Sequence, residues 1–309
     1  MKKIFLLITA AVVSAGIMSA QDINQATENY NNGAMELDMG NKEAALTCFQ
    51  TALTMAEALG DEGAELAANC KNIIPNVMLS LAKDFIKADN FDGAVEQLNK
   101  TAEAAELYGA PETAAEAKDM IPTVYLSKGN GLLKAKDVAG ATAAFQQVLA
   151  LDPTNGMASL LLGQALTAQG KVAEAEAAYL QAAENGQETN AKKQLSKMYL
   201  KLAQAALKGK KSQDAYDHAV KANSFIEDAN AYKIAASAAQ QLGKNADCIA
   251  NYEKYLEMKP NAKDAAGVKF TIGALYQQTG NKAKAKEFYQ MVVNDPQYGA
   301  SAQEQLKTL

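Results

Sequence analysis

One spaced pattern of small and aromatic residues recurs along this chain and constrains its fold more than any other feature. A small residue is followed by a turn seven residues later, by an alanine five residues after the turn, and by an aromatic residue four residues further on. The pattern predicts two helices joined by a tight turn, because the small residue and the alanine let the helix backbones approach closely. Three copies show it in full: Gly33, Gly40, Ala45 and Phe49; Gly163, Gly170, Ala175 and Tyr179; Gly273, Gly280, Ala285 and Tyr289.

Weaker copies fill the gaps between these three. Their small residues are Ala82, Gly129, Ala203 and Ala236, and each is followed by a turn at the same distance. A single pair of helices cannot bury its apolar face alone, so copies in register predict a stack of neighbouring pairs.

The pattern resembles the tetratricopeptide repeat (TPR) family, whose helix–turn–helix units of about 34 residues stack into a solenoid. The resemblance implies an all-α fold, a right-handed superhelical α-solenoid of about seven TPR-like repeats. Two features depart from the family pattern: no copy contains the family's tryptophan, and Ala219 stands where the fifth copy should have an aromatic residue.

The N-terminal repeats are longer than the others. Ile74 and Pro75 match Ile121 and Pro122 in a repeat of about 48 residues. We predict extended helices there, kinked or broken near both prolines, since proline removes a helical hydrogen bond. The predicted organisation is a signal peptide at 1–20, extended repeats at 21–155, shorter TPR repeats at 156–299 and a capping helix at 300–309.

The first twenty residues are typical of a secretory signal peptide. Lys2 and Lys3 precede an apolar stretch at 4–13, and small residues lead up to Ala20. The stretch is too short to span a bilayer, so we expect cleavage near Ala20 and export to the periplasm or cell envelope. An uncleaved N-terminal anchor helix is the alternative. No later stretch is long and apolar enough for a transmembrane segment, so we expect the mature chain to be soluble.

The composition excludes several functions. All 30 basic residues are lysine, and His218 is the only histidine. Without arginine the chain lacks the bidentate fork used for phosphate recognition, and a sequence pI of about 5.2 argues against a nucleic-acid partner. One histidine excludes a multi-histidine metal site, and no catalytic or nucleotide-binding motif occurs. We therefore predict a protein that is not an enzyme and uses no cofactor and no metal.

Three cysteines occur in the chain. Cys48 and Cys70 are nearly equidistant from a turn at Gly60, on helices predicted to be antiparallel neighbours. An oxidising periplasm permits a disulfide between them, but position along the helices does not settle the helical phase, so a bonded and a free pair both stay open. Cys248 takes the place of a small residue and is predicted to be a buried free thiol.

In such a solenoid the first helix of each helix–turn–helix unit, called here a first helix, lines a concave groove. The resemblance implies that a protein or peptide partner binds in this groove. The predicted partner-binding residues are polar and lie on the first helices: Lys83, Lys87, Asn130, Lys134, Gln164, Gln204, Lys208, Lys233, Gln240 and Gln277. Amides can bind the backbone of an extended peptide, and lysines can bind its carboxylate. The alternative interpretation is that these residues form an ordinary solvent-exposed polar surface. Some family members clamp a C-terminal carboxylate with basic residues and asparagines. Lys197, Lys201, Lys208 and Lys233 are available here, although the clamp does not match residue by residue.

We predict a non-enzymatic protein–protein interaction scaffold or adaptor in the periplasm or cell envelope. One alternative is an accessory subunit of an envelope assembly or secretion machinery. The other is a ligand-binding or enzymatic protein with a TPR body, which a deep pocket containing a perturbed pair of carboxylates would favour. Neither the partner nor the oligomeric state follows from the sequence.

Overall fold

A computed structural model describes residues 23–309 of the chain, and no strand occurs in that range. The prediction of an all-α fold is confirmed. The predicted signal peptide and its cleavage site near Ala20 lie outside the described residues. The described chain divides into two compact units, one ending at Ala135 and the other spanning Lys136–Leu309.

The N-terminal unit is a series of antiparallel helices in which each helix packs on the next one along the chain. Its helices are α1 (Ile23–Asp38), α2 (Lys42–Ala58), α3 (Ala64–Lys87), α4 (Phe91–Leu107) and α5 (Pro111–Lys134). The two longest, α3 and α5, have 24 residues each, in agreement with the extended helices predicted for this region.

The C-terminal unit continues with shorter helices, most of which also pack on the next one along the chain. They are α6 (Val138–Leu151), α7 (Gly156–Ala168), α8 (Val172–Ala182), α9 (Glu188–Lys208), α10 (Ser212–Phe225), α11 (Ala229–Gln241), α12 (Asn245–Met258), α13 (Ala265–Gln278), α14 (Lys282–Gln290) and α15 (Gly299–Thr308). The sequence places the boundary between the longer and shorter repeats at 155/156, whereas the compact units divide at 135/136, so α6 belongs to the C-terminal unit.

Every turn of the predicted pattern contains one residue with positive φ. Glycine takes this conformation at Gly40, Gly170, Gly243 and Gly280, whereas Asp89, Lys136 and Lys210 take it with φ between 54° and 65°. One residue in the left-handed backbone conformation reverses the chain within a short turn. A residue other than glycine adopts this conformation at a cost in conformational energy.

The small residue of each full copy lies against the aromatic ring of its partner helix. A Cβ atom added at Gly163 would lie 2.6 Å from the Tyr179 ring, and one at Gly33 would lie 2.9 Å from the Phe49 ring. Phe49 and Tyr179 are buried, so glycine is required where the ring fills the space between two helices.

Neither α3 nor α5 is broken at its proline. Pro75 and Pro122 both lie inside continuous helices, so the predicted break is wrong, and the kink stays a prediction. Each proline lacks the N–H that would bond the carbonyl four residues earlier, but the rest of the helix is held by packing. Ile74, Pro75 and Val77 are buried in the core shared by α2 and α3, and this burial maintains the helix across the proline.

The cysteines are free thiols in this structure, so Cys48 and Cys70 are not joined. Cys70 is buried in the core between α2 and α3, whereas Cys48 is half-buried and lies outside that cluster. Cys248 is fully buried in its helix, as predicted. Burial raises the pKa of both Cys70 and Cys248 to about 11, so both are neutral thiols at physiological pH.

Candidate partner-binding surface

Three first helices of the C-terminal unit lie side by side. Helix α9 packs against α7 on one side and against α11 on the other. This arrangement places the exposed sides of α7, α9 and α11 on one surface.

Helix α9 presents a row of basic residues on that surface. Lys197, Lys201, Gln204 and Lys208, named here the α9 stripe, are exposed and follow helical spacing, so they share one face. Leu195, Tyr199 and Ala203 are buried and hold the opposite face of the helix against its neighbours.

The charge of the α9 stripe is not neutralised within the described residues. Helix α9 contains five lysines and one glutamate, and that glutamate, Glu188, pairs with Lys192 at 2.6 Å. Lys197, Lys201 and Lys208 have no ion pair with any residue of 23–309. The stripe is therefore a positive face available to an acidic partner.

Amide side chains flank the α9 stripe. Gln164 on α7 is half-buried and Gln240 on α11 is exposed. Together with Gln204 they make no side-chain hydrogen bond to another described residue. Each amide therefore retains both a donor and an acceptor for the backbone of an extended chain.

Two predicted residues of this unit are engaged inside the protein instead. Lys233 forms an ion pair with Asp264 at 2.5 Å and lies 5.6 Å from the centre of the Tyr255 ring. Gln277 accepts a hydrogen bond from the Tyr289 hydroxyl at 2.8 Å and donates one to Thr308 at 3.2 Å. Thr308 belongs to α15, so this helix already uses the hydrogen-bonding groups of Gln277 that were predicted to face a partner.

The predicted partner-binding residues of the N-terminal unit also include some that are paired inside the protein and some that are not. Lys83 pairs with Glu116 at 2.7 Å, and Lys87 pairs with Asp84 at 3.3 Å. Asn130 and Lys134 on α5 are exposed and form no side-chain hydrogen bond or ion pair within residues 23–309.

A three-helix cluster in the C-terminal unit was not predicted from the sequence. Glu176 on α8 accepts hydrogen bonds from the Tyr199 hydroxyl at 2.7 Å and from Lys221 at 2.9 Å. Burial acts to raise the pKa of Glu176, but these hydrogen bonds outweigh it and hold the pKa below its ordinary value. The carboxylate is fully engaged and links three helices, so the cluster is a structural one. Its members come from three separate helices, and no local spacing signals them.

A cleft in the N-terminal unit was also missed. It has a volume of about 580 Å³ and lies between α3 and α5, with an apolar floor formed by Ile86, Met120 and Val124. Its rim contains three exposed carboxylates of α5, Glu112, Glu116 and Asp119. Their spacing along the helix puts them on one face, a signal that the sequence does contain.

Residues 23–309 contain no group of three or more histidine, cysteine or acidic side chains placed to hold a metal ion. His218 is half-buried on α10, with its ring 5.7 Å from that of Tyr199. In the same part of the chain, no helix combines the length and the apolar character needed to cross a membrane.

Two segments of the chain match models of a known repeat family. Residues 126–189 and 266–293 match models of the tetratricopeptide repeat. No curated protein matches the chain in sequence. Similar solved structures include MamA, with 22% identity and a TM-score of 0.36, where the match covers 59% of this chain and 96% of MamA. Another is YrrB, described as a TPR protein with an unusual peptide-binding site, with 19% identity, a TM-score of 0.35, and coverage of 64% and 97%. PilF of Pseudomonas aeruginosa has 17% identity, a TM-score of 0.28, and coverage of 62% and 92%.

The helices are antiparallel, each turn contains one residue with positive φ, and small residues pack against aromatic rings. These features define a helical repeat protein of the α-solenoid class. The two matched segments identify its repeat. Residues 126–189 and 266–293 of the chain therefore contain tetratricopeptide repeats. Proteins of this family are generally non-enzymatic scaffolds that bind protein or peptide partners.

Proposed function

We propose that this protein is a non-enzymatic interaction scaffold of the periplasm or cell envelope, and that it binds a protein or peptide partner on the surface of α7, α9 and α11. The observation that supports the proposal most directly is the α9 stripe, whose lysines are exposed and lack an internal counter-charge. Solvated lysines on one helix face attract acidic segments and orient them before close contact forms.

The chemistry of the surface suits an extended acidic segment. Lysine ammonium groups supply strong donors to carboxylates, while Gln164, Gln204 and Gln240 offer both donors and acceptors to a peptide backbone. Lysine is a flexible point charge and not a rigid fork, so the contacts favour modest affinity and tolerance of partner sequence.

A photo-crosslinking experiment in intact cells tests the surface. A photoreactive amino acid would replace Gln164 or Gln204, and a control would carry it at Val220, an exposed residue of the second helix α10. We expect a discrete crosslinked species from positions 164 and 204 but not from position 220. The same species should be lost when Lys197→Glu and Lys201→Glu are combined with the photoreactive residue. Identical crosslinks from all three positions, or crosslinks insensitive to the lysine changes, would contradict the proposed surface.

The proposed location rests on residues 1–20. The test is the mass of the protein recovered from fractionated cells. We expect a chain that begins near Gln21 in the periplasmic or envelope fraction, because the apolar stretch at 4–13 has the length of a signal-peptide core. An intact chain recovered from the cytoplasm would contradict export without bearing on the α9 surface.

A further inference from the structure

The two compact units differ in the sign of their charge. Residues 23–135 contain 8 lysines and 17 acidic residues, a net charge of −9. Residues 136–309 contain 20 lysines and 17 acidic residues, a net charge of +3. A chain whose two parts carry opposite charge attracts a second copy of itself with unlike parts facing each other.

The negative feature that best fits a partner is the cleft between α3 and α5, named here the α5 cleft. Glu112 and Asp119 on its rim have no ion-pair partner within residues 23–309, and Glu116 shares its charge with Lys83. The floor is apolar. Such a site favours lysine, whose methylene stem covers apolar surface while its ammonium group stays at the polar edge.

The positive feature is the α9 stripe, whose first two lysines have the same spacing along the helix as the first two carboxylates of the cleft. The stripe lysines occur at positions i, i+4 and i+11, and the cleft carboxylates occur at i, i+4 and i+7. With a rise of 1.5 Å per residue, the two rows are about 16 Å and about 10 Å long. Two helices of this kind, packed side by side about 10 Å apart, bring the charges of one row within reach of the other.

We propose that copies of this protein associate head to tail, with the α9 stripe of one copy in the α5 cleft of the next. The proposal rests on the proposed function in using the α9 surface for binding, and it names one occupant of that surface, a second copy of the chain. Each contact joins two different surfaces, so a pair of copies still has one free stripe and one free cleft. Further copies can therefore add to the pair and form larger assemblies.

The predicted contact is weak and depends on salt. Its charges are exposed, so ions screen them, with a Debye length of about 10 Å at 0.1 M salt and about 3 Å at 1 M. We therefore expect association that grows with protein concentration at about 0.1 M salt and disappears at about 1 M salt.

Sedimentation velocity of the purified full chain tests the proposal with three charge-reversed proteins. The first carries Lys197→Glu and Lys201→Glu, the second carries Glu112→Lys and Asp119→Lys, and the third carries all four changes. We expect the first and second to be monomeric when alone. We expect a mixture of the two, and the third protein alone, to associate again, because each pairs a reversed row with a complementary one.

The matched control is Lys282→Glu with Lys286→Glu. These two lysines of α14 are exposed, have the same spacing as Lys197 and Lys201, and form no ion pair within residues 23–309. The control makes the same change in net charge on another helix, and we expect it to associate like the wild type. Circular dichroism would verify that every variant is folded.

Three results would overturn the proposal: a wild type that stays monomeric at low salt, a mixture of folded variants that stays monomeric, or a control that loses association as the stripe variant does. The outcome is separable from that of the proposed function. A monomeric protein whose in-cell crosslinks still depend on Lys197 and Lys201 would remove self-association and keep the scaffold. Association in vitro, combined with in-cell crosslinks that do not depend on those lysines, would keep self-association and remove the proposed scaffold surface.

Discussion

The N-terminal and C-terminal units use different interactions to join their helices. Between the helices of residues 23–135, lysine–carboxylate pairs form the links, such as Lys71 with Glu57 at 2.8 Å and Lys83 with Glu116 at 2.7 Å, all at least partly exposed. Residues 136–309 also contain ion pairs, such as Lys233 with Asp264 at 2.5 Å, but add a second kind of link. Tyrosine hydroxyls there donate to carboxylates of another helix, as Tyr199 does to Glu176 and Tyr276 does to Glu253 at 3.0 Å. One helix–turn–helix plan therefore accepts exposed ionic links alone or together with partly buried phenol–carboxylate links.

The difference has a physical consequence. An exposed ion pair contributes about 0–1 kcal/mol and weakens as salt is added. A hydrogen bond to a charged group that is shielded from water contributes about 1.5–3 kcal/mol and is screened less. We therefore expect substitutions of linking residues to cost more in the C-terminal unit, while substitutions in the cores cost the same in both.

Truncation of a buried ring should have the largest effect and should be equal in the two units. Phe49→Ala and Tyr179→Ala each remove a ring that fills the space against a glycine, at a cost of about 3–5 kcal/mol in the free energy of unfolding. Hydrogen exchange measured by mass spectrometry would report the loss of protection in each unit. Tyr179→Phe keeps the ring and loses only the contact with Thr167 at 3.2 Å, so it should cost about 1 kcal/mol. A large effect in one unit alone would contradict the shared packing rule.

Glu176→Gln tests the phenol–carboxylate link. The change removes the negative charge and one of the two oxygens that accept from Tyr199 and Lys221, so it should cost about 1–2 kcal/mol at neutral pH. Because hydrogen bonds hold the pKa of Glu176 below its ordinary value, the wild type has this stability in full above the unfolded pKa of about 4.3. It loses the contribution as pH falls through the lower folded pKa. Urea unfolding at neutral and acidic pH would measure it, and a difference that does not shrink in acid would contradict the assignment.

Glycine at the strained turns should stabilise both units. Asp89→Gly in the N-terminal unit and Lys210→Gly in the C-terminal unit each relieve a side chain held at positive φ, for a gain of up to about 1 kcal/mol. Gly170→Ala is the matched reverse change and should destabilise by a similar amount. Thermal unfolding would measure all three. A loss of stability in either glycine variant would show that its side chain makes a contact that outweighs the strain.

Asp84→Asn should have the smallest effect. Hydrogen bonds from Lys42 lower the pKa of Asp84, but the pair is partly exposed, so we expect a cost below about 1 kcal/mol. The cost should vanish at high salt, whereas that of Glu176→Gln should persist. Equal salt dependence of the two variants would contradict the contrast between the units.

Much of the fold follows from local spacing in the sequence. The turns at Gly40, Asp89, Lys136, Lys210 and Gly280 fall where the pattern places them, because a small residue, a turn and an alanine at fixed distances specify a helix pair. The continuity of α3 through Pro75 could not be predicted, because it depends on burial of that helix against α2.

The candidate surface was predictable only in part. Spacing identifies Gln164, Gln204 and Lys208 as first-helix residues, but it cannot show that Lys233 pairs with Asp264 or that α15 engages Gln277. Those contacts join residues that are far apart in the chain. The sequence contains the charges of both units, but the net charge of each unit can be counted only once the boundary at Ala135 is known.

The uneven distribution of tyrosine gives the protein a built-in optical reporter. The chain has 12 tyrosines and no tryptophan, and only Tyr30, Tyr108 and Tyr125 belong to residues 23–135. Ultraviolet absorbance and intrinsic fluorescence therefore observe mainly the C-terminal unit. Burial and a carboxylate acceptor raise the pKa of Tyr255 and of Tyr276 to about 12, so their tyrosinate absorbance should emerge in alkali later than that of an unperturbed phenol. An alkaline titration of the unlabelled protein would thus follow the opening of the phenol–carboxylate links directly.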